Sequence, residues 1–155
     1  MTSKPRKLEP RAQPGHYTRR VQQVAVALFV QEVGDLNLTP VQYSSLHTIC
    51  NQPGIDQKTL ATTIGYDTST IAGVIDRLEA RGLVQRTVSP ADRRARLITP
   101  TEHGLELLQA VIPRMLRAQE RLLEPLAKPE RKEFMRLMQV VVDANAELST
   151  IPARE

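Results

Sequence analysis

The alternation of apolar and polar positions changes period twice along the chain, and the changes divide it. From about His16, residues Val21, Val24, Ala25, Leu28, Phe29, Val33 and Leu36 recur at helical spacing and predict one long helix with a single apolar stripe. Gly34, Asp35 and Asn37 mark its end. Thr39-Pro40-Val41-Gln42 then reads as a capping box with proline at the first helical position. Leu38 and Tyr43 are placed to staple that start, and Leu46, Ile49 and Cys50 continue the apolar face until Asn51-Gln52-Pro53-Gly54 breaks it. Asp56 is expected to cap a short helix, residues 57–64, with Leu60, Ala61 and Ile64 inward. After the turn at Gly65-Tyr66-Asp67, Ile71, Val74, Ile75 and Leu78 predict a further helix from Thr68 to Arg81, stopped by Gly82.

Beyond Gly82 the period shortens to that of strands. Residues 83–89 and 96–99 read as two strands joined by turn chemistry at Pro90-Ala91-Asp92-Arg93-Arg94, a small hairpin. Thr101 is expected to cap a second long helix carrying Leu105, Leu108, Val111, Ile112, Met115, Leu116, Leu122 and Leu123, kinked at Pro113. Pro125 and Pro129 bracket a break before a last helix whose buried side is Phe134, Leu137, Met138, Val141, Val142 and Leu148. The fold class expected is therefore mostly α with a small β-hairpin wing. Residues 15–37 and 101–150 form a helical region from both termini, residues 38–100 a compact lobe, and residues 1–14, with Pro5, Pro10, Pro14, Lys4, Arg6, Lys7 and Arg11, a flexible basic tail.

Composition narrows the function classes. The chain has 155 residues, enough for one real core. Aromatics are 3% with no Trp, which argues against a platform that stacks single-stranded bases. One Cys excludes an internal disulfide, and with three scattered His it makes a structural zinc site improbable. The apolar runs are too short to span a bilayer and no secretory signal is evident, so a cytoplasmic protein is expected. No phosphate-binding glycine loop, nucleophile elbow or His-Glu-x-x-His motif supports an enzyme. The net charge of +4 is modest, so its placement matters more.

The charge is placed on the hairpin. Arg86, Arg93, Arg94 and Arg96 fall within eleven residues that contain one acid, Asp92. A helix, a glycine turn and a second amphipathic helix, followed at once by an arginine-bearing hairpin, is the winged form of the helix-turn-helix, a reader of double-stranded DNA. The plainer reading is a solvated basic hairpin. Asp67, Thr68, Ser69 and Thr70 present small polar groups at a helix start, where backbone amides attract phosphate. Gly73, one turn on, leaves room for close approach, and Arg77 suits a phosphate. Arg94 at the tip suits a narrow minor groove, with Asp92 orienting a neighbouring arginine.

The string DRRARLITPTEHG, residues 92–104, resembles the wing signature of the MarR (multiple antibiotic resistance regulator) family: Asp-x-Arg, a short strand, then Leu-Thr-x-x-Gly. Asp92, Arg94, Thr101 and Gly104 match, and Pro100 stands where the family usually has Leu. STIAGVIDRLEARGLVQR, residues 69–86, is similar to its recognition helix and first wing strand, with Gly73 in place of a longer polar residue. The resemblance runs over about residues 15–150. It implies a homodimeric transcription factor in which the first, fifth and sixth helices interlock with a second chain. The apolar stripes of both terminal segments, too long for one small core, point the same way. A two-fold dimer would read half-sites about one helical turn apart.

The resemblance also implies release of DNA by a small ligand in the cleft beside the dimer helices. PGHYTRR, residues 14–20, and LTPVQYSSLHTICNQPGIDQKTLA, residues 38–61, resemble a branch that regulates aromatic-acid catabolism. His16 and Arg20 stand four apart with Arg19 beside them, and Tyr43 and His47 likewise stand four apart. Cations, a hydroxyl and imidazoles suit a small aromatic carboxylate as effector, with no cofactor or metal. Solvation or a dimer salt bridge is the plainer role for His16 and Arg20, as partial burial is for Tyr43 and His47. Two alternatives stay open. One is a winged-helix adaptor that binds protein and not DNA. The other is a redox sensor using Cys50, although its place at a helix end on an apolar face suits an inert core thiol.

Overall fold

The computed structural model describes residues 13–149 together with Glu9 and Arg11. Seven helices and three strands follow in the order α1 (Pro14–Val33), a 3-10 turn (Gly34–Leu36), α2 (Pro40–Asn51), β1 (Ile55–Asp56), α3 (Gln57–Ile64), α4 (Thr68–Ala80), β2 (Val84–Val88), β3 (Arg96–Pro100), α5 (Glu102–Leu123), α6 (Lys128–Ala144) and α7 (Ala146–Ser149). Helix α1 begins at Pro14, the last position expected of the tail. The rest of that tail lies outside the described residues, apart from Glu9, Arg11 and Gln13.

Local chemistry sets the helix starts. Thr39 Oγ1 accepts from the Gln42 N–H at 3.3 Å while Gln42 Oε1 accepts from the Thr39 N–H at 3.0 Å, so both halves of the capping box form. Asp56 Oδ1 accepts from the Thr59 N–H at 2.9 Å to start α3. Thr101 Oγ1 accepts from the Gly104 N–H at 3.0 Å to start α5 and donates back to the Gly82 carbonyl. Gly65 ends α3 in the left-handed region at φ 74°, where only glycine sits without strain.

These elements enclose one core. Leu46, Ile49, Leu60, Ile71, Ile75, Leu78, Leu83 and Ile98 are fully buried, and Val33 and Val111 bring the ends of α1 and α5 into the same cluster. The sheet is antiparallel with order β1-β3-β2. The expected two-stranded hairpin is thus three-stranded. Ile55 and Asp56 pair with Ile98 and Leu97, and the Gly54 N–H donates to the Ile98 carbonyl at 2.9 Å. Two residues are too few to show a strand period, so this strand has no local signature.

Helix α1 packs along α5, and a ladder of charge closes the seam. Arg114 reaches the Asp35 carboxylate at 2.5 Å, and Arg117 and Arg121 reach the two oxygens of Glu32 at 3.2 and 2.9 Å. These guanidiniums hold the Glu32 and Asp35 carboxyls below their ordinary range. Helix α6 departs from expectation. Its apolar positions do not form a buried side: no residue of α6 is buried, and Leu137, Val141 and Val142 are about half exposed or more. Leu148 falls in the separate turn α7. Val24 and Val30 of α1 and Leu105 and Leu116 of α5 are also exposed. No single described helix is long and apolar enough to cross a membrane; α1 and α2 meet the length and composition test only as a pair bent by 71°, and their Phe29, Val33, Leu46 and Ile49 lie in the core.

Candidate nucleic-acid interface

Helix α4 follows α3 across the Gly65-Tyr66-Asp67 turn, and Gln57 Nε2 donates to the Thr68 carbonyl at 3.2 Å to tie the two starts together. Ile71, Val74, Ile75 and Leu78 bury the inner face of α4, which leaves Thr68, Ser69, Thr70, Asp76 and Arg77 exposed. Gly73 is half-buried, with open space where a Cβ would stand. Asp67 caps the helix by accepting from the Thr70 N–H at 2.8 Å, and it also accepts from the Ser69 and Thr70 hydroxyls at 2.6 and 2.5 Å. These bonds hold its carboxyl far below the usual range. The Ser69 and Thr70 hydroxyl protons are thereby committed within the cap.

The wing tip closes on itself. The Ser89 N–H donates to the Ala95 carbonyl and the Ala95 N–H to the Asp92 carbonyl, both at 3.0 Å. Asp92 does not bridge to a guanidinium; its Oδ1 accepts from the Arg94 backbone N–H at 2.9 Å. It shapes the tip and does not pair with the arginine heads. Arg93, Arg94 and Arg96 are exposed, and among the described residues none of them, nor Arg77, makes an ion pair. Arg96 donates only to the Arg93 carbonyl, at 3.3 Å.

Arg86 departs from this set. Its side chain is 23% exposed and lies between two carboxylates of α4, Asp76 and Glu79, at 2.6 Å each. Expected as a DNA contact, it is held in this structure by two acids of α4. Burial works against its charge, and the two carboxylates outweigh burial and raise its pKa. The partners lie ten and seven residues away on another element, beyond what helix or strand spacing reveals. Arg81 was also missed: it donates to the Leu36 and Asn37 carbonyls from the end of α4.

The expected effector residues separate into two groups. His16, Arg19 and Arg20 line a groove of about 610 Å³ together with Glu9, Arg11 and Gln23. Tyr43 and His47 do not line it. Their rings pair on α2 with centroids 5.8 Å apart, and Tyr43 packs on Phe29 at 6.0 Å. Burial pushes the Tyr43 hydroxyl and the Cys50 thiol up, the latter being the opposite of what an activated thiol needs.

A family model described as the MarR family matches residues 38–95, the span from the start of α2 into the wing. The transcriptional repressor NicR of Pseudomonas putida is 33% identical over 133 residues, covering 86% of this chain and 84% of that one. The chain belongs to the MarR family. Solved MarR-type structures place the fold beside it. The PcaV transcriptional regulator from Streptomyces coelicolor, in complex with its natural ligand, is 36% identical with a TM-score of 0.83 over 89% of this chain and 97% of that one. BpsR of Bordetella bronchiseptica, whose DNA binding is regulated by 6-hydroxynicotinic acid, is 31% identical with a TM-score of 0.85 over 88% and 98%. These relatives are named as transcriptional regulators, not enzymes. The winged helix-turn-helix expected of the MarR resemblance is the fold found, with α3 and α4 as its helix pair and β2–β3 as its wing.

Proposed function

We propose that this chain is a transcriptional repressor that binds a pseudo-palindromic operator in double-stranded DNA as a homodimer and is released by a small aromatic carboxylate. The observation that carries the reading is the state of its arginines. Arg86, Arg114, Arg117, Arg121 and Arg136 are each paired with a carboxylate, whereas Arg77, Arg93, Arg94 and Arg96, on α4 and the wing, are not. Unpaired, exposed guanidiniums beside a helix N-terminus suit a polyanion. In this reading Arg93, Arg94 and Arg96 meet backbone or minor groove, and Arg77 a phosphate. The start of α4, Asp67 to Thr70 with Gly73, enters the major groove once the Ser69 and Thr70 hydroxyls turn outward. A protein-binding adaptor would need an acidic partner surface to meet the same four cations, and its lack of duplex binding would set it apart.

The exposed apolar residues of α1, α5 and α6 support the dimer. A helix as apolar as α6 with no buried residue needs a covering surface, and the matching stripes of a second copy supply one. The groove lined by His16, Arg19 and Arg20 supports the effector, since its three arginines, Arg11 among them, outnumber its one acid, Glu9, and suit a carboxylate. The half-buried ring pair of Tyr43 and His47 is the candidate wall for the aromatic ring. NicR is named a repressor, and PcaV and BpsR are described with small ligands, which favours this class of regulation.

The test begins with duplexes selected by the protein from a random library. We expect an inverted repeat, bound by a dimer in light-scattering chromatography, with affinity falling steeply as salt rises. A panel of hydroxybenzoates and hydroxynicotinates is then titrated against the complex, with Arg20→Ala and Tyr43→Ala in parallel. A panel that leaves operator affinity untouched sinks the effector, and absence of duplex binding at any salt sinks the regulator.

A further inference from the structure

Arg86 occupies the middle of β2, opposite the fully buried Ile98 of β3. Its position is fixed twice over. Glu79 Oε1 accepts from the Arg86 backbone N–H at 3.0 Å, and Glu79 Oε2 accepts from its guanidinium at 2.6 Å. The other arm of the guanidinium donates to Asp76 Oδ1 at 2.6 Å. Asp76 and Glu79 stand three apart on α4, so one planar fork spans two neighbouring carboxylates of a helix face. This is the side-chain bridge between the helix proposed to enter the major groove and the strand that carries the wing.

We infer that the Asp76–Arg86–Glu79 clasp sets the angle of the wing against α4, and that Arg86 is a positioning residue for operator recognition and not a DNA contact. The inference rests on the proposal that α4 and the wing read DNA. Two contact elements held by a short hairpin must meet adjacent grooves together, and a small misplacement at the base of the wing grows towards its tip. The Ile98 register fixes the strand in the sheet, but only the clasp ties the guanidinium, the β2 backbone and the helix face into one unit. The pairing also keeps two acids of the recognition helix from standing uncompensated before phosphates.

The clasp makes a prediction opposite in sign to simple electrostatics. Asp76 is largely exposed, so Asp76→Ala leaves the core intact while removing one negative charge from the proposed DNA side. Charge alone would tighten binding to every duplex. The clasp requires the library-selected operator to bind roughly tenfold more weakly, as coupled pairs in one network do, while an unrelated duplex of equal length binds as well as before or better. Arg86→Ala is expected to weaken operator binding with the slope of log affinity against log salt unchanged. Loss of a phosphate contact would instead lower that slope by about one. Arg86→Lys, which keeps the charge but cannot span both carboxylates, is expected to resemble Arg86→Ala. All are measured by fluorescence anisotropy on the full chain, with thermal unfolding recorded for each variant. Operator binding by Asp76→Ala as tight as wild type, or a slope lowered by one in Arg86→Ala, overturns the clasp. A wild type that binds no duplex removes the DNA reading itself, which is a different result.

Discussion

Two groups of arginines differ in how the fold treats them. Along the α1–α5 seam, Arg114, Arg117 and Arg121 each meet a carboxylate of Glu32 or Asp35 contributed from about eighty to ninety residues away in sequence. At the wing, Arg93, Arg94 and Arg96 are crowded into four positions, and the only nearby acid, Asp92, is turned to a backbone amide. The residue type is the same and its use is opposite. Where the chain must hold two helices together, it supplies the counter-charge. Where the charge is left uncompensated, the protein carries the cost of repulsion among its own side chains, a cost that a polyanionic partner removes. The lesson is that arginine density alone says little, and what each guanidinium meets, whether a carboxylate, a carbonyl or solvent, says more.

The largest effect is expected where the two regions join. At Gly104 a Cβ would stand 2.0 Å from the Leu83 carbonyl oxygen, a backbone atom that cannot rotate away. Gly104→Ala should therefore shift α5 off the DNA-binding lobe and cost about 3 kcal/mol, the upper range of overpacking. Chemical denaturation reads this directly, and an unchanged midpoint would mean the junction is looser than the packing shows. Next, Arg94→Ala should weaken operator binding roughly tenfold to a hundredfold without altering the dimer or the unfolding midpoint. Arg121→Ala should do the reverse, lowering stability and leaving the salt slope of DNA binding in place. If both substitutions act on DNA alike, the distinction between paired and unpaired groups fails. The loss of a single cap comes lower. Thr101→Ala should cost about 1 kcal/mol.

The smallest effect distinguishes the seam by pH. Glu32 and Asp35 are held below their ordinary carboxylate values by their arginines. A carboxylate depressed by folding gives stability that is complete above its unfolded value and is lost as the pH falls through its folded one. Wild type should thus lose part of its margin over Glu32→Gln below about pH 4.5, near the ordinary glutamate value, and the two should converge in stronger acid. Arg94 makes no ion pair among the described residues, so DNA-free Arg94→Ala should follow the wild-type acid profile.

Sequence reading reached those parts of the molecule whose cause is local. The Thr39–Gln42 box, the Asp56 and Thr101 caps, the bounds of α3 and the period change after Gly82 all depend on residues within one or two turns, and all are seen. What it missed depends on partners far along the chain. The two-residue β1 exists because β3 offers it an edge, and the pairing of Arg86 depends on Asp76 and Glu79, which reach it from another element. The face of α6 looked buried because its pattern is that of a core helix, yet no residue of α6 is buried among the described residues. His16, Arg19 and Arg20 share one helix, so their spacing alone puts them beside one groove. Their relation to Tyr43 and His47 is a matter of how helices pack, and the structure keeps them in separate groups.

The short link between α1 and α2 has a mechanical consequence. Its carbonyls at Leu36 and Asn37 moor Arg81 from the end of α4, and its Asp35 moors Arg114 from α5. Asn37 sits there in the left-handed region at φ 52°, a conformation that fixes the direction in which both carbonyls point. Four residues thus act as a common hawser post. Arg81 from the end of α4 and Arg114 from α5 are thereby anchored on one short segment.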